Sequence, residues 1–175
     1  MKPVSIILLW ITTILGAALL GLVTNAINAQ VSEQYFRTML GWQNVTHITR
    51  AIIAQGVFEG LICGLVLSTL FLAVVTFVSR AQCGYLFGLR YVLGLFATAL
   101  MLWVVGGVLA VILVSLSPEF FRSHFIGVPE SAPDRLRYAW VGGSIWGVQF
   151  GGAAATFIFM ALFRAQWRLS HATGA

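Results

Sequence analysis

Four apolar runs, each longer than the roughly 18 residues that suffice to cross a bilayer, most constrain the fold of this chain. They cover residues 4–27, 51–78, 91–116 and 138–163. Backbone N–H and C=O groups in lipid must bond within their own segment, so we predict helices despite the many glycines. Only 9% of the residues are charged, against about 25% in soluble domains. The sequence therefore predicts an all-α polytopic membrane protein with four transmembrane helices in a single transmembrane domain, residues 1–175.

An internal duplication organises the chain. The segment VSEQYFR at 31–37 recurs as LSPEFFR at 116–122, and after a two-residue insertion Arg50 aligns with Arg137. Three glycines in the following run then align in each copy: Gly56, Gly60 and Gly64 with Gly143, Gly147 and Gly151. We interpret the chain as two repeats, residues 1–80 and 81–175. Each repeat crosses the membrane twice, so the two repeats are predicted to be parallel.

The aligned glycines predict close helix packing, because small residues every four positions let two backbones approach in lipid. We expect the second and fourth helices to cross at these glycines. Small residues of the first and third helices would assist, namely Ala17, Gly21, Gly106 and Ala110. A glycine-lined groove for a ligand or cofactor is the alternative interpretation.

The segments after the first and third runs predict two short interfacial helices in the external loops. Ser117 before Pro118 is a strong helix start, and Ser32 is a weaker one. Aromatic residues follow each start on one side of a helix, which places Arg37 and Arg122 at headgroup height. These segments are interpreted as aromatic-anchored loops, with a docking platform or pore vestibule as the alternative. At the fourth helix, Asp134 is expected as the N-cap.

Lysine and arginine set the orientation of a membrane protein, and here they divide equally between the two sides. One side, which includes the amino terminus, the 79–90 loop and the tail, contains no acidic residue. We therefore expect both termini in the cytoplasm. The net charge of +5 indicates attraction to anionic lipid and no nucleic-acid partner, because no basic stripe with interleaved aromatics lies outside the runs.

Glu59 is the one charged residue well inside a predicted span. A carboxylate near the bilayer midplane is costly and is a functional hypothesis by default. We expect a hydrogen bond between Glu59 and Gln149 of the fourth helix, while Gln55 and Cys63 share the face of Glu59 on its own helix. The alternatives are proton or cation handling, and pairing with a basic or polar residue of a partner protein.

Enzymatic chemistry has no support in the residue pattern. The sequence contains no nucleophile with a neighbouring base, no paired carboxylates and no phosphate-binding loop with a lysine. His47 and His124 lack partners at metal-ligand spacing, so we expect no metal site and no cofactor. The two cysteines, Cys63 and Cys83, are expected to be thiols that do not form a disulfide with each other.

Two segments carry a resemblance to other proteins. Residues 27–36, and more closely Ser117-Pro118-Glu119-Phe120-Phe121, resemble the SPEYF-type segment of a group of small bacterial multi-spanning membrane proteins. The arginine followed by a Gly/Trp-rich helix over residues 137–152 is also similar. The resemblance implies a bacterial inner membrane and carries no activity.

These patterns favour an integral membrane interaction protein, either a scaffold or a small subunit of a membrane complex. The bilayer and a protein partner, or further copies of the chain, are the expected partners. The alternative is a homo-oligomeric channel or a small-solute or proton-coupled transporter whose path is lined by Glu59, Gln55 and Gln149.

Overall fold

The computed structural model describes residues 3–172, and within them the chain is all-α. Its helices are α1 (Pro3–Val31), α2 (Glu33–Met39), α3 (Ile48–Ser79), α4 (Tyr85–Leu116), α5 (Pro118–His124) and α6 (Ala132–Ala172). The four helices α1, α3, α4 and α6 are long and apolar enough to cross a membrane. The prediction of a multi-pass, four-helix membrane protein is confirmed at this level.

Every long helix extends beyond the apolar run that predicted it. The largest difference is in α6, which has 41 residues and reaches about 60 Å at roughly 1.5 Å per residue. A bilayer with its headgroups is only about 40–45 Å thick. The ends of α6 therefore continue as helix through polar sequence that hydropathy alone does not mark.

The long helices form two pairs that follow the order of the chain. α1 packs along α3, and α4 packs along α6, while smaller contacts of α3 with α6 and of α1 with α4 join the pairs. In the first pair, a Cβ on Gly56 would lie 2.3 Å from the carbonyl oxygen of Gly21. A Cβ on Gly60 would lie 2.4 Å from the oxygen of Ala17. These backbones touch at a distance that only glycine allows.

The second pair makes the same contacts at the aligned positions. A Cβ on Gly143 would lie 2.4 Å from the oxygen of Gly106, and one on Gly147 would lie 2.3 Å from the oxygen of Leu102. The remaining two glycines also face the paired helix, Gly64 against Ala17 and Gly151 against Leu102.

The expected crossing of α3 and α6 at these glycines is therefore wrong. Each row of glycines packs on the preceding long helix of its own half. The physical reason is complementarity: the small residues Ala17 and Gly21 of α1, and Gly106 and Ala110 of α4, offer each row a second flat surface. Glycine spacing identified the close contact but assigned it to the wrong helix.

Buried apolar clusters close the bundle near both ends. One includes Ile52 and Tyr138, and the other includes Phe71 and Phe163. The turn from α3 to α4 belongs to the second end, since Cys83 is buried there with Ala81. Between the clusters the two helix pairs separate enough to leave a cavity.

The caps of the two short helices reverse the expected order of strength. Ser32 accepts a hydrogen bond from the backbone N–H of Tyr35 at 3.4 Å, which caps α2. Ser117 occupies the N-cap position of α5 but makes no capping hydrogen bond with its side chain. Its backbone dihedrals of φ −142° and ψ 77° lie outside the usual extended region, so the residue types alone did not decide the cap.

The N-cap of α6 also differs from the expectation. The hydroxyl of Ser131 accepts from the backbone N–H of Asp134 at 3.3 Å and donates to its carboxylate at 2.6 Å. The helix begins at Ala132, which places Asp134 in its first turn. Asp134 as the cap is therefore wrong, because the helix starts at Ala132 and the apolar run only at residue 138, more than about one and a half turns later.

Candidate functional site

A cavity lies between the two helix pairs, with walls from α1, α3, α4 and α6. It offers about 120 Å³ of water-accessible space, close to the roughly 150 Å³ of an engineered apolar cavity that binds benzene. Most of the wall is apolar, and the polar residues on it include Thr13, Asn25, Glu59, Ser68, Gln149 and Thr156. Two of the three intramembrane polar residues that the sequence singles out, Glu59 and Gln149, thus share one space.

The partner of Glu59 is Gln55. The Nε2 atom of Gln55 donates to Oε1 of Glu59 at 2.9 Å, and both residues are half-buried. Gln149 lines the same cavity but makes no hydrogen bond with Glu59, so the expected bond between them is wrong. Gln55 lies one helical turn before Glu59 on the same face and needs no tertiary contact to reach it. Within residues 3–172, no ion pair involves Glu59.

The hydroxyl groups of the wall donate to their own helices. Thr13 donates to the carbonyl oxygen of Leu9 at 2.7 Å, Thr156 to that of Gly152 at 2.8 Å, and Ser68 to that of Leu65 at 3.4 Å. A hydroxyl has one proton and two acceptor lone pairs. These three side chains can therefore offer only acceptor lone pairs to a ligand while their bonds persist.

Asn25 follows the same pattern, because its Nδ2 atom donates to the backbone oxygen of Ile52 at 3.2 Å. Its carbonyl oxygen is an acceptor. With the Glu59 carboxylate, the wall carries one charged acceptor and several neutral ones, while its neutral donors are the carboxamide of Gln149 and the second N–H of Asn25. The sequence analysis did not assign Asn25, Thr13, Ser68 or Thr156 to a site; a polar residue in an apolar run was the available signal.

The opening of the cavity faces sideways. Cys63 and Gln149 are both exposed and lie near the midpoints of α3 and α6, far from the helix ends. Towards one end the cavity meets Phe71, which is 1% exposed, and towards the other it meets Asn25 beneath Ile52, which is 0% exposed. Fully buried side chains thus lie at both of these ends of the cavity.

A buried polar contact joins the two helix pairs beside the cavity. Ser144 of α6 donates to Oδ1 of Asn28 in α1 at 3.2 Å, and both side chains are fully buried. The Nδ2 atom of Asn28 is buried without a hydrogen-bond partner. An unpaired buried amide N–H costs about 1–3 kcal/mol, so this contact fixes α1 against α6 at an energetic cost.

Arg37 and Arg122, on the two short helices α2 and α5, differ in exposure. Arg37 is half-buried, and its guanidinium donates to the backbone oxygens of Trp42, Gln43 and Val45 at 3.2–3.3 Å. It also lies 3.8 Å from the carboxylate of Glu33. Arg37 therefore closes the loop after α2, whereas Arg122 on α5 is exposed.

Outside the spans, the phenol of Tyr35 lies in the apolar cluster of Ile52 and Tyr138. Burial raises the pKa of Tyr35 above its ordinary value, and the charge of Glu59 raises it further. Tyr35 is thus a neutral phenol at physiological pH. Within residues 3–172, no group of three histidine, cysteine, aspartate or glutamate side chains could hold a metal ion.

Comparisons of the chain with known protein families, with curated proteins and with solved structures found no match.

Proposed function

We propose that this chain is an integral membrane interaction protein, a scaffold or small subunit of a membrane complex, that docks its partner over the open side of the Glu59 cavity. The supporting observation is the half-buried Gln55–Glu59 pair beside an opening at the middle of the helices. A carboxylate at this depth is costly when it faces lipid. A partner that covers the opening and supplies a hydrogen-bond donor or a cation to Glu59 would offset that cost.

The closed ends of the cavity favour docking over conduction by one copy. A pore requires polar groups along its whole length, whereas this cavity ends at Phe71 on one side and below Ile52 on the other. The aligned glycines also favour the open side of the cavity as the docking surface. The glycines of α3 already pack on α1 and those of α6 on α4, so they are not free for a partner.

We also propose the finer architecture and setting. The equivalent contacts of Gly60 with Ala17 and of Gly147 with Leu102 support two parallel repeats. The exposed apolar side chains of Met39 and Phe120 support interfacial positions for α2 and α5. The acid-free side of the chain supports cytoplasmic termini, and the SPEYF-type resemblance supports a bacterial inner membrane.

The docking role is tested by gentle extraction of the tagged chain from its native membrane, followed by sizing and identification of co-purifying proteins. We expect one defined complex. Gln149→Trp, which places a bulky side chain at the opening, should reduce its yield. Leu109→Trp is the matched control, because Leu109 is exposed on α4 and does not line the cavity. Equal loss of the complex in both variants, or a chain that purifies alone, would refute this proposal.

A second candidate is a homo-oligomeric channel or a small-solute or proton-coupled transporter. The polar residues of the cavity wall favour it, since Glu59 and Gln149 face one space. A clean homo-oligomer in the same extraction would support this candidate. Glu59→Gln should then abolish proton-coupled uptake into proteoliposomes, and full retention of uptake would exclude Glu59 as the proton carrier.

A further inference from the structure

We propose that the Glu59 cavity binds the alkylammonium head of an amphiphile, with Glu59 as its counter-ion. The inference deepens the proposed function, because it names the chemistry that enters the same open side. An alkylammonium head can belong to a free amphiphile or to a lysine of a partner helix. The charge requirement is the same for both sources.

The hydrogen-bonding character of the wall carries this inference. The hydroxyls of Thr13, Ser68 and Thr156 donate to backbone oxygens. The side-chain amide of Asn25 donates to the backbone oxygen of Ile52. The oxygens that remain on these side chains are acceptors, and the N–H groups that remain in the wall, on Gln149 and the second N–H of Asn25, are neutral donors. A cationic ligand would be attracted to the Glu59 carboxylate and could donate to these oxygens, whereas an anion would be repelled by Glu59 and would find only neutral donors.

The described chain supplies no cation of its own at this depth. The basic residue nearest to Glu59 along α3 is Arg50, which is exposed and about 13 Å away at roughly 1.5 Å per residue. A second copy would present no lysine or arginine at the middle of the bundle, because the basic residues among 3–172 lie at helix ends and in the connecting segments. The counter-ion therefore comes from a different molecule.

Size and access fit a cationic head with an apolar tail. About 120 Å³ of water-accessible space is enough for a group of benzene size, and the ring of Phe96 belongs to the wall. Aromatic faces attract alkylammonium groups. Because the opening faces sideways near Cys63 and Gln149, the head can enter while its alkyl chain stays in the hydrocarbon.

Cys63 provides the assay, because it is exposed, lines the cavity and lies one turn beyond Glu59. The full chain is purified in dodecyl maltoside, and the rate of N-ethylmaleimide addition at Cys63 is followed by peptide mass spectrometry. Dodecyltrimethylammonium and dodecylammonium are the probes. The neutral detergent supplies the same alkyl chain throughout, so any difference reports the charged head.

We expect each rate of alkylation to fall about tenfold when a cation that binds is present at about ten times its Kd. Glu59→Asp should keep this protection, because the charge remains. Glu59→Gln should reduce this protection to less than about twofold, because the cation protects Cys63 only while it is bound and the variant lacks the charge that binds it. Glu33→Gln removes a carboxylate outside the cavity and should behave as the natural chain.

Protection by dodecylammonium alone would indicate a head with N–H donors, as in a lysine side chain. Protection by both cations would indicate that a free quaternary amphiphile also fits. Either result supports the site. Equal protection in Glu59→Gln, or no protection of the natural chain by either cation, would overturn it. The alkylation assay needs no partner protein. The membrane extraction can therefore refute the docking role without affecting the cation site, and the alkylation assay can refute the cation site without affecting the docking role.

Discussion

A methyl group at Gly60 should separate the first helix pair. A Cβ there would lie 2.4 Å from the Ala17 oxygen and 2.8 Å from the Ala18 Cα. Ordinary contact begins near 3.4 Å, so the helices must move apart by about 1 Å. Such a gap forfeits a quarter to a half of each dispersion contact along the seam, and overpacking of this kind costs about 1–3 kcal/mol.

Alanine also favours the helix over glycine by up to about 1 kcal/mol. We therefore expect Gly60→Ala to lower the free energy of unfolding by about 1–2 kcal/mol. Gly147→Ala should cost a similar amount, because its Cβ would lie 2.3 Å from the Leu102 oxygen. The measurement is reversible unfolding in mixed micelles of dodecyl maltoside and sodium dodecyl sulfate, followed by tryptophan fluorescence.

Gly152→Ala is the matched control for this prediction. It lies in the same cavity wall as Gly60, but the nearest atom to its Cβ would be the Ala99 Cβ at 3.9 Å. The added methyl makes ordinary contact, so stability should be unchanged or raised by up to about 1 kcal/mol. If Gly60→Ala is as stable as Gly152→Ala, the close approach does not carry the packing and the reasoning fails.

Three further predictions concern a cap, a turn and a buried phenol. Ser131→Ala should lower the free energy of unfolding by about 1 kcal/mol, because α6 loses its cap. Ser117→Ala should lower it by less than about 0.5 kcal/mol, because the Ser117 side chain makes no capping bond. Equal unfolding midpoints for the two variants would contradict this prediction. Arg80, at φ 50°, should tolerate glycine with a gain of up to about 1 kcal/mol, and Arg80→Ala is the control that must show no gain. Burial and the Glu59 charge raise the pKa of Tyr35 in the folded state. The contribution of Tyr35 to stability is therefore intact below about pH 10, its ordinary pKa, and is lost as the pH rises through the pKa of the folded state. Tyr35→Phe should flatten that alkaline loss in unfolding titrations, and an unchanged slope would show that Tyr35 does not titrate with unfolding.

The span count followed from the sequence because lipid forces long apolar runs to be helical. The ends of the helices could not be predicted in this way, because residues 132–137 and 164–172 are helical although their composition is polar. Capping failed for a related reason. Ser117 and Asp134 have suitable side chains, but a cap depends on the backbone dihedrals at the helix start, which residue types do not determine.

The candidate site was predictable only in its central residue. Glu59 is conspicuous because a carboxylate in an apolar run is rare. Its partner was assigned to Gln149 by depth, yet the local neighbour Gln55 makes the bond. The acceptor character of the wall was not predictable, since it depends on which way the hydroxyls of Thr13 and Thr156 donate. Such directions follow from three-dimensional packing.

The pairing of consecutive long helices also has a consequence for biosynthesis. α1 and α3 can close on each other before α4 has been made, because their glycine contacts involve residues of the first half only. The cavity cannot form until α6 arrives with Gln149. During that interval, Glu59 stands in the membrane with Gln55 as its hydrogen-bonding neighbour on α3. The order of synthesis thus gives a membrane chaperone, or a partner made at the same time, a period of access to the carboxylate that the finished bundle restricts.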